Sequence, residues 1–185
     1  MGISGANTLR GPFGATKPIT TKNVGTVASG SSVVEYGDGT FHQSVITVDT
    51  TLPAIAGSGN YGVGTLVYTF PDGAVNVKST YMSMALTTSG TTITADTPDV
   101  GIGTTIGTGT EALLGTIGAA TENMLTGQTA NDCNGTAEVK HLATSLIVAT
   151  GDNHTVYFNA ADGWAGADAA CAIAGTIIIE WVFAV

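Results

Sequence analysis

Apolar and polar residues alternate over short stretches of this chain, and a period of two marks β-strands that bury one face. The pattern is clearest near the end. Asn153-His154-Thr155-Val156-Tyr157-Phe158-Asn159-Ala160-Ala161-Asp162-Gly163-Trp164 and Ile173 to Val185 both read as strands, β-branched and aromatic, joined by a wide Gly/Ala/Asp loop. A strand that runs to the last residue is expected to lie inside a sheet, with upstream segments as its partners.

Those segments repeat the texture. Ser32-Val33-Val34-Glu35-Tyr36 and Thr40 to Val48 flank Gly37-Asp38-Gly39, which predicts a hairpin. Residues 57–62, Gly57-Ser58-Gly59-Asn60-Tyr61-Gly62, read as a flexible loop before a strand from Val63 to Phe70. Pro71-Asp72-Gly73 is a turn, because Pro presets the first dihedral and Gly accepts a positive one. From Ala74 to Thr87 the buried parity switches from Val75 and Val77 to Met82, Met84 and Leu86, which calls for a bulge near residues 79–81, with the methionines as core filler. Residues 92–95 read as a short strand. Glu111 to Leu114 and Ala119 to Leu125 are the helix-friendly stretches and support one or two turns bridging two sheets. Residues 128–135 form a polar loop, residues 138–149 a strand, and Gly151-Asp152-Asn153 a hairpin turn. Eight or so strands with turns every 8 to 15 residues predict an all-β protein: an antiparallel β-sandwich with a jelly-roll-like body over 31–185 and an extended N-terminal arm over 1–30, where Gly and Pro recur without any apolar period.

Charge sharpens this division. The 185-residue chain has a net charge of −9, yet residues 1–22 carry Arg10, Lys17 and Lys22 and no acid, a net of +3, leaving −12 for the remainder. An acidic body repels nucleic acid and anionic membrane, so neither is an expected partner. Only 10% of residues are charged while 26 are Gly, a composition suited to a surface occupied by other protein.

Candidate chemistry is sparse. Cys133 and Cys171 lack metal-ligand spacing, and a disulfide between them stays open on spacing alone. His42, His141 and His154 each stand alone. Gly101-x-Gly103 lacks the third glycine and the Lys-Ser/Thr of a phosphate loop, and Asp38 lacks the further oxygen ligands of a calcium loop. Neither a cofactor nor a metal is expected. No signal peptide or membrane-spanning run appears, and the Asn134 and Asn153 sequons read as chance. For a hydrolase, Asp96 with Asp99 is the nearest carboxylate pair; for a glycan-binding module, Trp164 and Tyr61 are the aromatics expected in loops.

Phe70-Pro71-Asp72-Gly73-Ala74-Val75, Asp99-Val100-Gly101-Ile102-Gly103-Thr104, and Val156 to Trp164 ahead of the closing Gly175-Thr176-Ile177-Ile178-Ile179-Glu180-Trp181 strand, behind a Gly-rich arm, together resemble the capsid decoration, or cement, proteins of tailed bacteriophages. The resemblance implies a non-enzymatic virion protein made in the bacterial host cytoplasm, often a homotrimer, seated on the outer capsid surface where it clamps capsomers of the major capsid protein. It makes the arm the segment that lies across neighbouring capsid subunits, with Arg10, Lys17 and Lys22 as expected contacts. The alternative is a carbohydrate- or receptor-binding jelly-roll module of a phage fibre or spike.

Overall fold

The computed structural model describes residues 24–37, 41–149 and 154–184. Ten strands make two five-stranded antiparallel sheets: β1 (Thr26–Val27), β2 (Ser31–Gly37), β3 (Phe41–Thr51), β4 (Gly59–Thr69), β5 (Val75–Thr87), β6 (Asp99–Gly103), β7 (Leu125–Thr129), β8 (Asn134–Val148), β9 (Thr155–Trp164) and β10 (Ala172–Phe183). The first sheet has the order β2-β3-β10-β5-β8 and the second β1-β4-β9-β6-β7.

The pairing explains the topology. β3 pairs with β10, β4 with β9, β5 with β8 and β6 with β7, so the chain from β3 to β10 is one long hairpin folded at the β6–β7 connection. That hairpin is then rolled, which brings β10 beside β5 and β9 beside β6. Every connection from β3 onward except β6–β7 passes from one sheet to the other. This is the jelly-roll form of the β-sandwich. The two strands with the strongest pattern, β9 and β10, are the central strands, one in each sheet.

The core lies between the sheets. Along β3 the inward residues His42, Ser44, Ile46 and Val48 are buried, and along β10 Ile173, Ile177, Ile179 and Trp181 are completely so. The parity switch of β5 is a bulge at Lys78, where the pairing with both β8 and β10 shifts register, just ahead of the expected position; beyond it Met82 and Met84 fill the core. A second bulge, at Val67 in the β4–β9 ladder, turns both Val67 and Tyr68 inward. Two successive residues of one strand thereby enter the core.

Several expectations are corrected. Residues 59–62 belong to β4 rather than to a loop: Gly62 and Gly64 face Ile117 and Asn159, and a Cβ at either would collide with them. These glycines serve close approach, not chain reversal. Residues 92–95 form a turn, in which Ile93 alone plugs the core and its carbonyl accepts from Asp96 N–H at 3.0 Å. Gln128 and Thr129 complete β7, so the polar loop is shorter than expected. The helical pieces, α1 (Leu114–Ile117) and a 3₁₀ turn (Ala119–Thr121), lie in the β6–β7 connection and cover the outer face of the second sheet instead of bridging the two. β8 and β9 sit in different sheets, so their connection crosses the sandwich and is no hairpin; its residues 151–153, like residues 38–40 of the β2–β3 connection, lie outside the described residues. No helix among the described residues is long and apolar enough to cross a membrane.

Candidate functional site

Arg10, Lys17 and Lys22 lie outside the described residues, which begin at residue 24 of the arm. Its root is specific. β1 adds to the edge of β4, with Thr26 opposite Thr69 and Val27 opposite Tyr68, and Gly25 N–H donates to the Tyr68 hydroxyl at 3.1 Å. Tyr68 is wholly buried because the bulge at Val67 turns it inward. Its hydroxyl donates to Oε1 of Glu35 on β2, Ser44 Oγ on β3 donates to the other Glu35 oxygen at 2.8 Å, and Trp181 Nε1 on β10 donates to Ser44 Oγ at 2.9 Å. Burial, and then the Glu35 charge, push the Tyr68 phenol upward, so it remains a donor. Around this hub His42 stacks on Trp181 at 4.0 Å, and Phe70 and Phe183 meet the Trp181 ring edge-on at 5.5 and 5.3 Å. Four strands and the root of the arm are therefore tied through one phenol.

The second feature is a cavity of about 410 Å³ on the second sheet, lined by Asp99, Glu122 and Asp162 with Thr97, Leu113 and Thr126. Of the sequence-predicted carboxylates, Asp99 lines it and Asp96 lies close enough to act on Asp162 electrostatically. Glu122 and Asp162 were not legible as members, since the β6–β9 and β6–β7 pairings bring them in. Asp99 is held above the ordinary carboxylate range by burial, opposed by the Leu114 N–H, with the Glu122 charge adding to the rise. Asp162 is raised by burial, with Asp96 and Asp99 contributing.

Each of these carboxylates also fastens backbone. Asp99 Oδ2 accepts from Leu114 N–H at 2.8 Å, Glu122 from Gly127 N–H, Asp162 Oδ1 from Gly163 N–H at 2.7 Å, and Asp96 Oδ2 from Ala165 N–H at 2.8 Å. Oxygens so engaged act as loop staples. Among the described residues no group of three or more His, Cys, Asp or Glu side chains is placed to hold a metal ion.

The aromatics expected in loops are elsewhere. Trp164 ends β9 and is 1% exposed, its indole N–H donating to the Tyr61 carbonyl at 2.8 Å, while Tyr61 lies in β4 and packs against the core. Trp164 therefore offers no stacking platform for a sugar, and Tyr61 is partly buried. His154 Nε2 lies 3.2 Å from the Ala149 carbonyl, and the side chain of His141 on β8 is outside the described residues. Comparison of the chain with protein-family models, with curated proteins and with solved structures found no match.

Proposed function

We propose that this chain is a non-enzymatic structural protein of a tailed-phage virion, a head decoration or cement protein that binds the major capsid protein on the outer capsid surface and stabilises contacts between capsomers. One observation carries the reading. A jelly-roll body is entered at one edge by a chain segment whose upstream part is basic while the rest is acidic, and the entry point is pinned to the core through Tyr68. Such a body needs no reacting group. Its task is to keep its shape while a polar, Gly-rich arm binds neighbouring subunits by backbone pairing, with avidity supplied by assembly symmetry. Tension applied to the arm is then delivered to the hydrogen-bonded hub and shared among β2, β3, β4 and β10, instead of peeling β1 alone from the edge. The resemblance of the turn motifs to cement proteins points the same way, and a homotrimer on a threefold position is the assembly it suggests.

The test is a truncation placed by the structure. Removing residues 1–22 deletes Arg10, Lys17 and Lys22 but keeps Gly25 and its bond to Tyr68. The truncated body should keep the circular dichroism and melting temperature of the full chain and lose co-sedimentation with shells of the cognate major capsid protein. Full-length protein should run as a trimer by light scattering and sediment with the shells. Undiminished attachment of the truncated body would overturn the reading.

A further inference from the structure

β5 ends at Thr87, whose Cα lies opposite Asn134 of β8 on one side and Ala172 of β10 on the other. The residues just before those two are Cys133 and Cys171. Thr88 leaves the sheet, its N–H donating to the Cys133 carbonyl at 3.0 Å, while Leu52 N–H donates to the Cys171 carbonyl at 2.9 Å. With β5 gone from between them, the chains leading into β8 and β10 face each other across its end. Both cysteines are free and completely buried, and the two thiols lie near enough to act on each other's ionisation. Asp132, Asn134, Ser89 and Ala170, all close by in sequence or across the end of β5, are exposed.

We propose that Cys133 and Cys171 are the two halves of an intramolecular cross-link that forms within the folded protein when it meets hydrogen peroxide. The chemistry balances in two steps. The Cys171 thiolate attacks one peroxide oxygen, the O–O bond breaks, and Cys171 becomes a sulfenic acid as hydroxide leaves and takes the Cys171 proton to form water. The Cys133 sulfur then attacks the Cys171 sulfur, the S–O bond breaks, and the expelled hydroxide takes the Cys133 proton as a second water. Two thiols are oxidised and one peroxide is reduced. Cys171 is the first to react because the Cys133 S–H can hydrogen-bond its thiolate. The charges of Asp96 and Asp162 near Cys133 and of Asp168 near Cys171 disfavour thiolate, so the reaction is slow. The bond closes a loop of roughly 40 residues that includes β8 and β9, and it ties edge strand β8 to central strand β10.

The native full-length protein is incubated with millimolar hydrogen peroxide, then denatured and alkylated with iodoacetamide. The expected product is a monomer lighter by two hydrogens, with no alkylated cysteine, whose unreduced digest contains a joined Cys133–Cys171 peptide. Its melting temperature should rise by on the order of 10 °C and return with dithiothreitol. C133S protein should instead carry an oxidised Cys171 without a cross-link; should that variant not fold, the wild-type peptide map decides alone. Both cysteines alkylated after exposure, a sulfinic acid with no joined peptide, a disulfide between chains, or a lowered melting temperature would overturn the proposal.

Discussion

Tyr68 shows how one buried hydroxyl organises its surroundings. It accepts from Gly25 and donates to Glu35, so its replacement removes two bonds and leaves a buried carboxylate with Ser44 as its remaining hydroxyl donor. Leaving such a group unsatisfied is costly. Tyr68→Phe should therefore lower stability by about 2–3 kcal/mol in urea unfolding, and β1 amides should lose their protection from hydrogen exchange. Equal protection in the variant would mean that β1 is held by backbone pairing alone. None of this was legible locally. Tyr68 reads as an ordinary strand aromatic, and its inward turn depends on a bulge in a ladder formed with residues almost ninety positions away.

Among the elements, the β6–β7 connection depends most on a single side chain. Asn159, at the centre of β9, is fully buried on the outer face of the second sheet. Its Oδ1 accepts from Gly107 N–H at 2.7 Å, and its Nδ2 donates to the carbonyls of Thr105 at 3.0 Å and Thr121 at 2.7 Å. The segment carrying α1 is clamped to the strand beneath it. Gly64 on β4 leaves the room that this amide needs. Asn159→Ala should cost about 3 kcal/mol, since three backbone groups, two of them in buried bonds, lose their partner, and should loosen residues 104–121 before the sheets, as hydrogen exchange would show. Gly62 looks like a loop residue in the chain because only a contact with distant Ile117 reveals why no Cβ fits there.

The carboxylates set how stability of the whole molecule varies with pH. Asp168, buried between the β5–β6 and β9–β10 connections, accepts from Ser89 N–H and Oγ at 2.8 and 2.6 Å, from Ala170 N–H at 2.8 Å, and from Thr88 Oγ1. Burial alone would raise it; these donors together outweigh burial and bring it from 3.8 to about 2. Its contribution is fully present above its unfolded value and is lost as pH falls from 3.8 toward about 2. Asp99 and Asp162 behave in the opposite sense: held above 3.8, they oppose folding when ionised, and stability returns as pH falls through their raised values. Relief of repulsion in a chain of net charge −9 adds to that rise. The urea midpoint should peak in mild acid, above the window in which Asp168 takes up its proton, and fall on both sides. Asp168→Asn should be less stable at neutral pH and should flatten the acid limb by up to about 2 kcal/mol; an unaltered acid limb would show that the staple carries no titratable stability.

Alternation of apolar and polar residues by itself determined the β-rich class, the strand character of β3, β5, β8, β9 and β10, the turn at Pro71-Asp72-Gly73, and a basic arm ahead of an acidic body. These follow from the two-residue period of the strand, from backbone dihedral preferences and from fixed charge, all of which act over a few neighbouring residues. Beyond the expected pairing of β2 with β3, which strands pair was decided only by the tertiary structure. Rolling the long hairpin places β8 and β9 in different sheets, buries Trp164 against Tyr61, gathers Asp99, Glu122 and Asp162 around one cavity, and sets Cys133 beside Cys171. Such contacts join residues from tens to a hundred positions apart, and local period carries no record of which partner a strand will find.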